Sequence, residues 1–231
     1  MTTGANSETR APGPLRLVLT LAIAGLISGV AIIGIYESTL PTITANKARE
    51  LREAVFKVLP GVSQMQQLVY RDGELVIAEL LRKDEQAVYG GYDQQGDFVG
   101  YAIPGAGPGF QDTIGLLYGY TPEQNLVLGM EVLESRETPG LGDKIYKDAD
   151  FVGSFSALSI EPEIIAVKKG KKSRPNEIDA ITGATISSKA VVRIINETHS
   201  EWLQRFPPSG SEPPLSESDS SGTGNQPLRR A

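Results

Sequence analysis

The most apolar stretch of the chain lies close to its first residue. Residues 17–36 read LVLTLAIAGLISGVAIIGIY and contain no charged side chain. Twenty residues in a helix rise about 30 Å, which matches the hydrocarbon core of a bilayer. A cleaved signal peptide has a shorter apolar region, and a buried helix of this length is unusual at the start of a small domain. The pattern predicts a transmembrane helix over residues 14–36, preceded by a disordered segment over residues 1–13.

Charges on either side of this stretch indicate its orientation. Arg10 and Arg16 precede it and Glu37 follows it, which favours an N-terminus in the cytoplasm. Basic residues at 47–52 lie close behind and weaken the bias when charges are simply counted. We therefore expect a single-pass protein whose remaining chain lies outside the cytoplasm.

Helical spacing continues after the apolar stretch. Leu51, Val55 and Val58 recur at helical intervals with charged residues between them. This spacing predicts a stalk helix over residues 37–61, whose end is marked by Pro60 and Gly61.

From residue 66 the pattern changes to short segments typical of strands. The clearest is 126–133, in which alternate residues are apolar, as in a strand with one buried face. A hairpin turn, DQQG, separates the predicted strands 87–92 and 97–103. The glycine-rich stretch 104–109 predicts a loop. Further strands are predicted over 68–71, 74–80, 114–120 and 163–170.

Helical patterns return near the end of the chain. A short helix is predicted over 143–154, and a longer one from Ser187 that ends before Pro207. Residues 207–231 are rich in Pro, Ser, Gly and acidic side chains, which predicts a disordered tail. The fold class is therefore an α+β domain of mixed strands and helices over 62–206, behind a single N-terminal transmembrane helix.

Composition narrows the chemistry that the chain can perform. It contains no cysteine and one histidine, which excludes disulfides, iron–sulfur ligation and histidine-rich metal sites. A net charge of −6 provides no basic surface for nucleic acid. The spacing of Glu131, Glu134 and Glu137 indicates no acid/base pair, so no catalytic residue is predicted. His199 is interpreted as a surface or boundary residue. Redox work would require an organic cofactor.

Hydroxyl side chains crowd one turn near the last helix. Residues 179–188 read DAITGATISS. The N-terminus of a helix offers unpaired backbone N–H groups and a positive dipole end, which favour a phosphate, and Gly183 lets the backbone approach a bulky ligand. The alternative is that Thr185, Ser187 or Ser188 only caps the helix. The residues alone leave both interpretations open.

A second unusual segment follows the strand at 126–133. Residues 136–142 read RETPGLG. Pro139 and Gly140 fit a tight turn, and small residues would let a flat ring lie against the backbone. On composition alone an ordinary strand-to-helix turn is the preferred interpretation.

ETPGLG at 137–142, followed by DAITGATISS at 179–188 behind one membrane helix, resembles the FMN-binding domain family. Its members include the G subunit of the Rnf-type ion-translocating electron-transport complex and the C subunit of the sodium-translocating NADH:quinone reductase. The resemblance covers roughly residues 15–205. Residues 109–114, GFQDTI, are similar to a G-[YF]-x-x-x-I segment of the Rnf-type G subunit, and the single tryptophan, Trp202, lies away from the tryptophan-containing segment of the reductase C subunit. The Rnf-type G subunit is therefore favoured.

The resemblance implies a cofactor and its attachment point. In this family FMN is joined through its phosphate to the last threonine of an S/T-G-A-T motif, which corresponds to Thr185 as a phosphorylated, covalent FMN carrier. The ETPGLG loop lies near the isoalloxazine ring in the family. The other cofactor-binding residues implied in this way are Thr182, Gly183, Ala184, Thr138, Gly140, Leu141 and Gly142.

The resemblance also implies a function. The chain would be an electron-carrying subunit of an ion-translocating oxidoreductase, or translocase, and would not be catalytic alone. It would be anchored in the bacterial cytoplasmic (inner) membrane with its FMN domain on the periplasmic, or extracytoplasmic, side. Its partners would be the other membrane subunits and a flavin transferase. The alternatives are a component like the C subunit of the sodium-translocating NADH:quinone reductase and a non-redox structural adapter.

Overall fold

A computed structural model describes residues 13–78, 80–82 and 85–216. The chain divides into two compact units, residues 1–46 and residues 47–231. The predictions of disorder at 1–12 and 217–231 lie outside the described residues. The division into units falls within the first helix, α1, which spans Pro14–Val58.

Helix α1 is the candidate membrane span among the described residues. Its apolar window has a mean hydropathy of 2.5, and none of that window is buried within the protein. By length and composition it fits a single-pass membrane anchor.

The predicted transmembrane and stalk segments are continuous in α1, with Pro41 inside the helix. Proline removes one backbone donor from a helix. Nearby hydroxyl groups add hydrogen bonds to the same turns: Ser38 Oγ donates to the carbonyl of Ile35 at 2.9 Å, and Thr44 Oγ1 donates to that of Leu40 at 3.0 Å. Hydroxyl side chains that bond to the backbone are one of the ways in which apolar helices accommodate proline.

The second unit is built on a seven-stranded antiparallel sheet. The order of its strands is β2-β1-β3-β4-β5-β6-β7, so neighbours along the chain are mostly neighbours in the sheet. The strands are β1 Gln64–Arg71, β2 Glu74–Ile77, β3 Ala87–Tyr92, β4 Phe98–Pro108, β5 Thr113–Thr121, β6 Leu126–Glu134 and β7 Leu158–Ser159.

Helices and a second, smaller sheet complete this unit. Two short helices follow β6, α2 at Lys144–Lys147 and α3 at Ala149–Gly153. Strands β8, Ile165–Lys168, and β9, Glu177–Ala180, pair in parallel, and the last helix, α4, spans Thr185–Leu203. The predicted α+β class is confirmed. Strands β7 and β9 were not predicted, and the two residues of β7 are too few to show a period.

Both faces of the seven-stranded sheet are covered. Alternate residues of a strand point to opposite faces. On β5, Leu116 and Tyr118 pack in the cluster that includes α4, whereas Leu117 packs with Val55 and Val58 at the C-terminal end of α1.

The prediction of a loop over residues 104–109 is wrong, because β4 runs through most of that stretch and pairs with β5. Helix α4 occupies the space that side chains would need on one face of the strand. A Cβ on Gly105 would lie 2.7 Å from Thr198 Oγ1, and one on Gly107 would lie 2.9 Å from Ile194 Cγ1. These glycines therefore allow close packing of a helix on a strand.

The interpretation of His199 as a surface or boundary residue is also wrong. Its side chain is buried at 5% exposure, with its ring centroid 4.6 Å from that of Tyr120. The residue follows Ile195 by one helical turn and precedes Trp202 by three positions, so it lies on the buried face of α4.

Part of the segment predicted as a disordered tail contacts the sheet. Gln66 Nε2 donates to the carbonyl of Pro214 at 3.0 Å, and Tyr92 Oη donates to that of Pro213 at 2.5 Å. The backbone N–H of Ser216 donates to Gln66 Oε1 at 3.0 Å. These polar groups of β1 and β3 hold the described residues of that segment in place.

Candidate functional site

The hydroxyl-rich motif forms the end of β9, a tight turn and the first turn of α4. Gly183 in this turn has φ +84°, a conformation that favours glycine. Thr185 is the first residue of α4 and is exposed, as is Thr182. The Thr185 hydroxyl lies 3.4 Å from the carbonyl oxygen of Ile181, which is a weak contact.

Neither Thr185 nor the serines serve as the N-cap of α4. The N-cap is Ala184, and it makes no side-chain capping bond. The Ser188 hydroxyl instead closes the turn, since it accepts from the N–H of Ile181 at 3.1 Å and donates to the carbonyl of Ala184 at 2.9 Å. Helix capping therefore does not account for the exposed hydroxyl of Thr185.

The segment before the motif is held by an aspartate. Asp179 Oδ1 accepts from the backbone N–H groups of Lys171 and Lys172, each at 3.2 Å. Burial acts to raise the pKa of Asp179, but hydrogen bonds from these and neighbouring N–H groups outweigh it and keep the pKa below its ordinary value. The loop that leads into β9 is thereby tied to the first residue of the motif.

The ETPGLG loop, residues 137–142, connects β6 to α2. Gly140 has φ +78°, which allows the backbone to turn, and the Leu141 side chain is 51% exposed. Thr138 Oγ1 donates to Gln111 Oε1 at 2.6 Å, which links the loop to the hairpin between β4 and β5.

The two motifs lie side by side. A Cβ on Gly183 would contact Leu141 Cδ2 at 4.0 Å, and one on Gly142 would lie 3.0 Å from Ser187 Oγ. The structure therefore places the 137–142 loop beside the turn at 182–185, although about forty residues of chain separate them. All the residues implied for cofactor binding fall in these two neighbouring segments.

Glu137 is a central residue of this site that the sequence-based interpretation set aside. Its side chain is buried, with the residue 5% exposed. Oε2 accepts from Ser187 Oγ at 2.6 Å, and Oε1 accepts from the N–H groups of Phe110 and Gln111 at 2.8 and 2.9 Å. Spacing along the chain could not show this, because the donors lie 26 to 50 residues away.

The ionisation of Glu137 follows from these contacts. Burial acts to raise the pKa of its carboxyl group, but hydrogen bonds from Ser187 and from the backbone of the 110–112 segment outweigh that effect. The pKa is therefore held below the ordinary value of glutamate, and the group is ionised at neutral pH.

Two glycines make room for this carboxylate. A Cβ on Gly109 would overlap Glu137 Oε1, and one on Gly142 would overlap Oε2. Side chains at either position would displace the carboxylate. The site thus combines an exposed hydroxyl at a helix N-terminus with a small-residue loop and a buried anion that joins them.

Comparison with known proteins agrees with this arrangement. Residues 109–200, which include both motifs, match the FMN-binding domain. The G subunit of the Na(+)-translocating ferredoxin:NAD(+) oxidoreductase complex of Acetobacterium woodii is 30% identical over 188 residues, which cover 78% of this chain and 87% of the relative. The G subunit of the ion-translocating oxidoreductase complex of Methanosarcina acetivorans is 28% identical over 181 residues, covering 77% of this chain and 88% of the relative.

Solved structures show the same fold. NqrC of Shewanella oneidensis superimposes with a TM-score of 0.57 at 18% identity, and the match covers 70% of this chain and 95% of that one. At this level of identity the similarity establishes the architecture of the FMN-binding domain without fixing the function.

Proposed function

The chain belongs to the family of G subunits of ion-translocating oxidoreductase complexes, and we propose that it carries FMN covalently on Thr185 and relays electrons within such a complex. The observation that carries this proposal is the exposed Thr185 hydroxyl at the N-terminus of α4, beside the 137–142 loop. FMN, when bound, supplies one- and two-electron redox chemistry.

The surroundings of Thr185 fit a phosphate group. The first N–H groups of a helix lack intrahelical partners, and the helix dipole places partial positive charge there. Gly183 has no side chain that could hinder a ligand at the turn, and the neighbouring Thr182 is exposed. A phosphate on Thr185 Oγ1 would therefore lie at a helix end that stabilises negative charge.

The neighbouring loop fits a flat ring system. Leu141, which lies next to Gly183, and Ile186, in the first turn of α4, have apolar side chains that are 51% and 58% exposed. Gly140 has open space where a Cβ would lie, so this part of the loop backbone carries no bulky group. Each Å² of apolar surface that the isoalloxazine ring buries here would stabilise the bound ring by about 25 cal/mol.

Attachment requires a separate enzyme in this proposal. The phosphoester would form when Thr185 Oγ1 bonds to the flavin phosphorus of an activated flavin nucleotide, while the phosphoanhydride bond of that donor breaks and releases the rest of the donor as a nucleoside monophosphate. The hydroxyl loses its proton in this step, and no described side chain is hydrogen-bonded to Oγ1 to accept that proton. The hydroxyl is, however, accessible on the surface, so a flavin transferase can reach it. The transferase is therefore a partner in maturation.

The location that we propose for the domain explains why FMN would be attached covalently. Charges beside the apolar stretch favour a cytoplasmic N-terminus, which would place the domain on the extracytoplasmic side of a bacterial inner membrane. A phosphoester retains the cofactor where free FMN is not supplied. Electrons would enter and leave through other membrane subunits. The complex would couple this electron flow to the transport of ions.

The site assignment is tested by in-gel flavin fluorescence of denatured protein coexpressed with its flavin transferase. Thr185→Val keeps the shape of the side chain but removes the hydroxyl, so it should abolish the fluorescent band. The matched control Thr182→Ser changes the neighbouring exposed threonine and keeps a hydroxyl, so its band should persist. Fluorescence that survives in Thr185→Val would move the attachment point elsewhere, and a dark wild type beside a labelled relative would favour the adapter alternative.

A further inference from the structure

One buried carboxylate connects every segment of the proposed cofactor site. Glu137 belongs to the 137–142 loop, accepts from the backbone at Phe110 and Gln111, and accepts from Ser187 in the first turn of α4. Ser187 is itself buried at 2% exposure and lies two residues after Thr185. The position of Thr185 relative to the loop thus depends on this side chain.

The partners of Glu137 are neutral. Among the described residues it forms no ion pair, in contrast to Asp143, whose Oδ2 lies 2.6 Å from Lys147 Nζ. Each oxygen of Glu137 accepts hydrogen bonds, and a protonated carboxyl would have to turn one of those oxygens into a donor. The hydrogen-bond pattern therefore holds an anion whose charge is not cancelled by a neighbouring cation.

We propose that Glu137 is a positioning residue for the flavin site, which fixes the 137–142 loop against the first turn of α4 and places a fixed negative charge beside the cofactor. This inference rests on the proposed function for its redox part. A negative charge in a partly buried site opposes the gain of further negative charge nearby. Glu137 accordingly lowers the reduction potential of a flavin held on Thr185.

Two substitutions separate geometry from charge. Glu137→Gln keeps the size of the side chain and one carbonyl acceptor while it removes the charge, and its amide can still contact Ser187. Glu137→Ala removes both the charge and the connection. Glu134→Gln is the matched control, since Glu134 is exposed at the end of β6, three residues away, and its change alters the net charge equally.

The first measurement is amide hydrogen exchange of the full-length protein without flavin. We expect Glu137→Ala to speed exchange in residues 109–112 and in the first turn of α4 by about tenfold or more, because a buried hydrogen-bonded carboxylate is lost. Exchange in these segments that stays at the wild-type rate would overturn the positioning role. This result does not depend on flavin, so it stands even if the proposed function fails.

The second measurement is the midpoint potential of the covalently bound flavin. Glu137→Gln should retain the fluorescent band and shift the potential to a more positive value, while Glu134→Gln should leave it near that of the wild type. Equal potentials in the two glutamine variants would overturn the electrostatic role. A purely structural residue would not produce a difference between them.

Discussion

Thr185 and Ser187 lie two positions apart on α4 and have opposite environments. Thr185 is exposed, whereas Ser187 is buried and donates to Glu137 at 2.6 Å. Successive residues of a helix point about 100° apart, so a motif of hydroxyl residues is divided between surface and interior. The exposed hydroxyl can be modified, and the buried ones hold the turn in place.

A second single residue, His199, predicts how the stability of the domain depends on pH. Burial lowers its pKa to about 4, from an ordinary value of 6.5. The unfolded chain therefore takes up the proton first as the pH falls. The contribution of neutral His199 to the free energy of unfolding is therefore fully present above pH 6.5, and it is lost as the pH falls through about 4.

The change to test is His199→Phe, which keeps a ring against Tyr120 and removes the titration. Between pH 7 and pH 4, the wild type should lose on the order of 3 kcal/mol more unfolding free energy than the variant. Chemical denaturation of both proteins at a series of pH values measures this difference. Parallel pH profiles would contradict the burial of His199 as a neutral group.

At the scale of elements, the end of α1 packs closely on the large sheet. A Cβ on Gly119 of β5 would overlap the carbonyl oxygen of Val58, and one on Gly129 of β6 would lie 3.1 Å from Val58 Cα. Two glycines in neighbouring strands thus create the space in which the last turn of the helix lies.

Gly119→Ala should therefore destabilise the domain by about 1–3 kcal/mol or more, because backbone atoms cannot move aside as a flexible side chain can. The matched control is Gly153→Ala at the end of α3, where a Cβ would meet nothing within 4 Å. Thermal unfolding compares the two. A similar midpoint for both variants would contradict the close contact with Val58.

The elements also show what could be predicted from the sequence. Alternation over 126–133 and helical spacing near the C-terminus correctly identified β6 and α4. The stretch 104–109 was wrongly predicted as a loop, because several closely spaced glycines usually indicate one. Here the glycines allow a helix to pack closely on a strand, and that helix is distant in sequence. The predicted division between a transmembrane segment ending at residue 36 and a stalk starting at residue 37 likewise falls within one continuous helix.

At the scale of the molecule, the site could be predicted only in part. The two motifs identified the family and the two segments, because each is a short contiguous string. Glu137 could not be assigned a role, since its donors come from a hairpin and a helix that only folding brings together. Local strings thus located the proposed attachment point, and the contacts that would hold it required the structure.

We propose a membrane-anchored domain whose flavin is fixed by one bond at Thr185. Mass analysis of the peptide containing Thr185, from full-length protein matured with its flavin transferase, tests it most directly. We predict that Thr185 carries the mass of FMN less water and that fragmentation places this addition on its side chain. An unmodified Thr185 peptide, when the relative from Acetobacterium woodii becomes labelled in the same host, would contradict the claim.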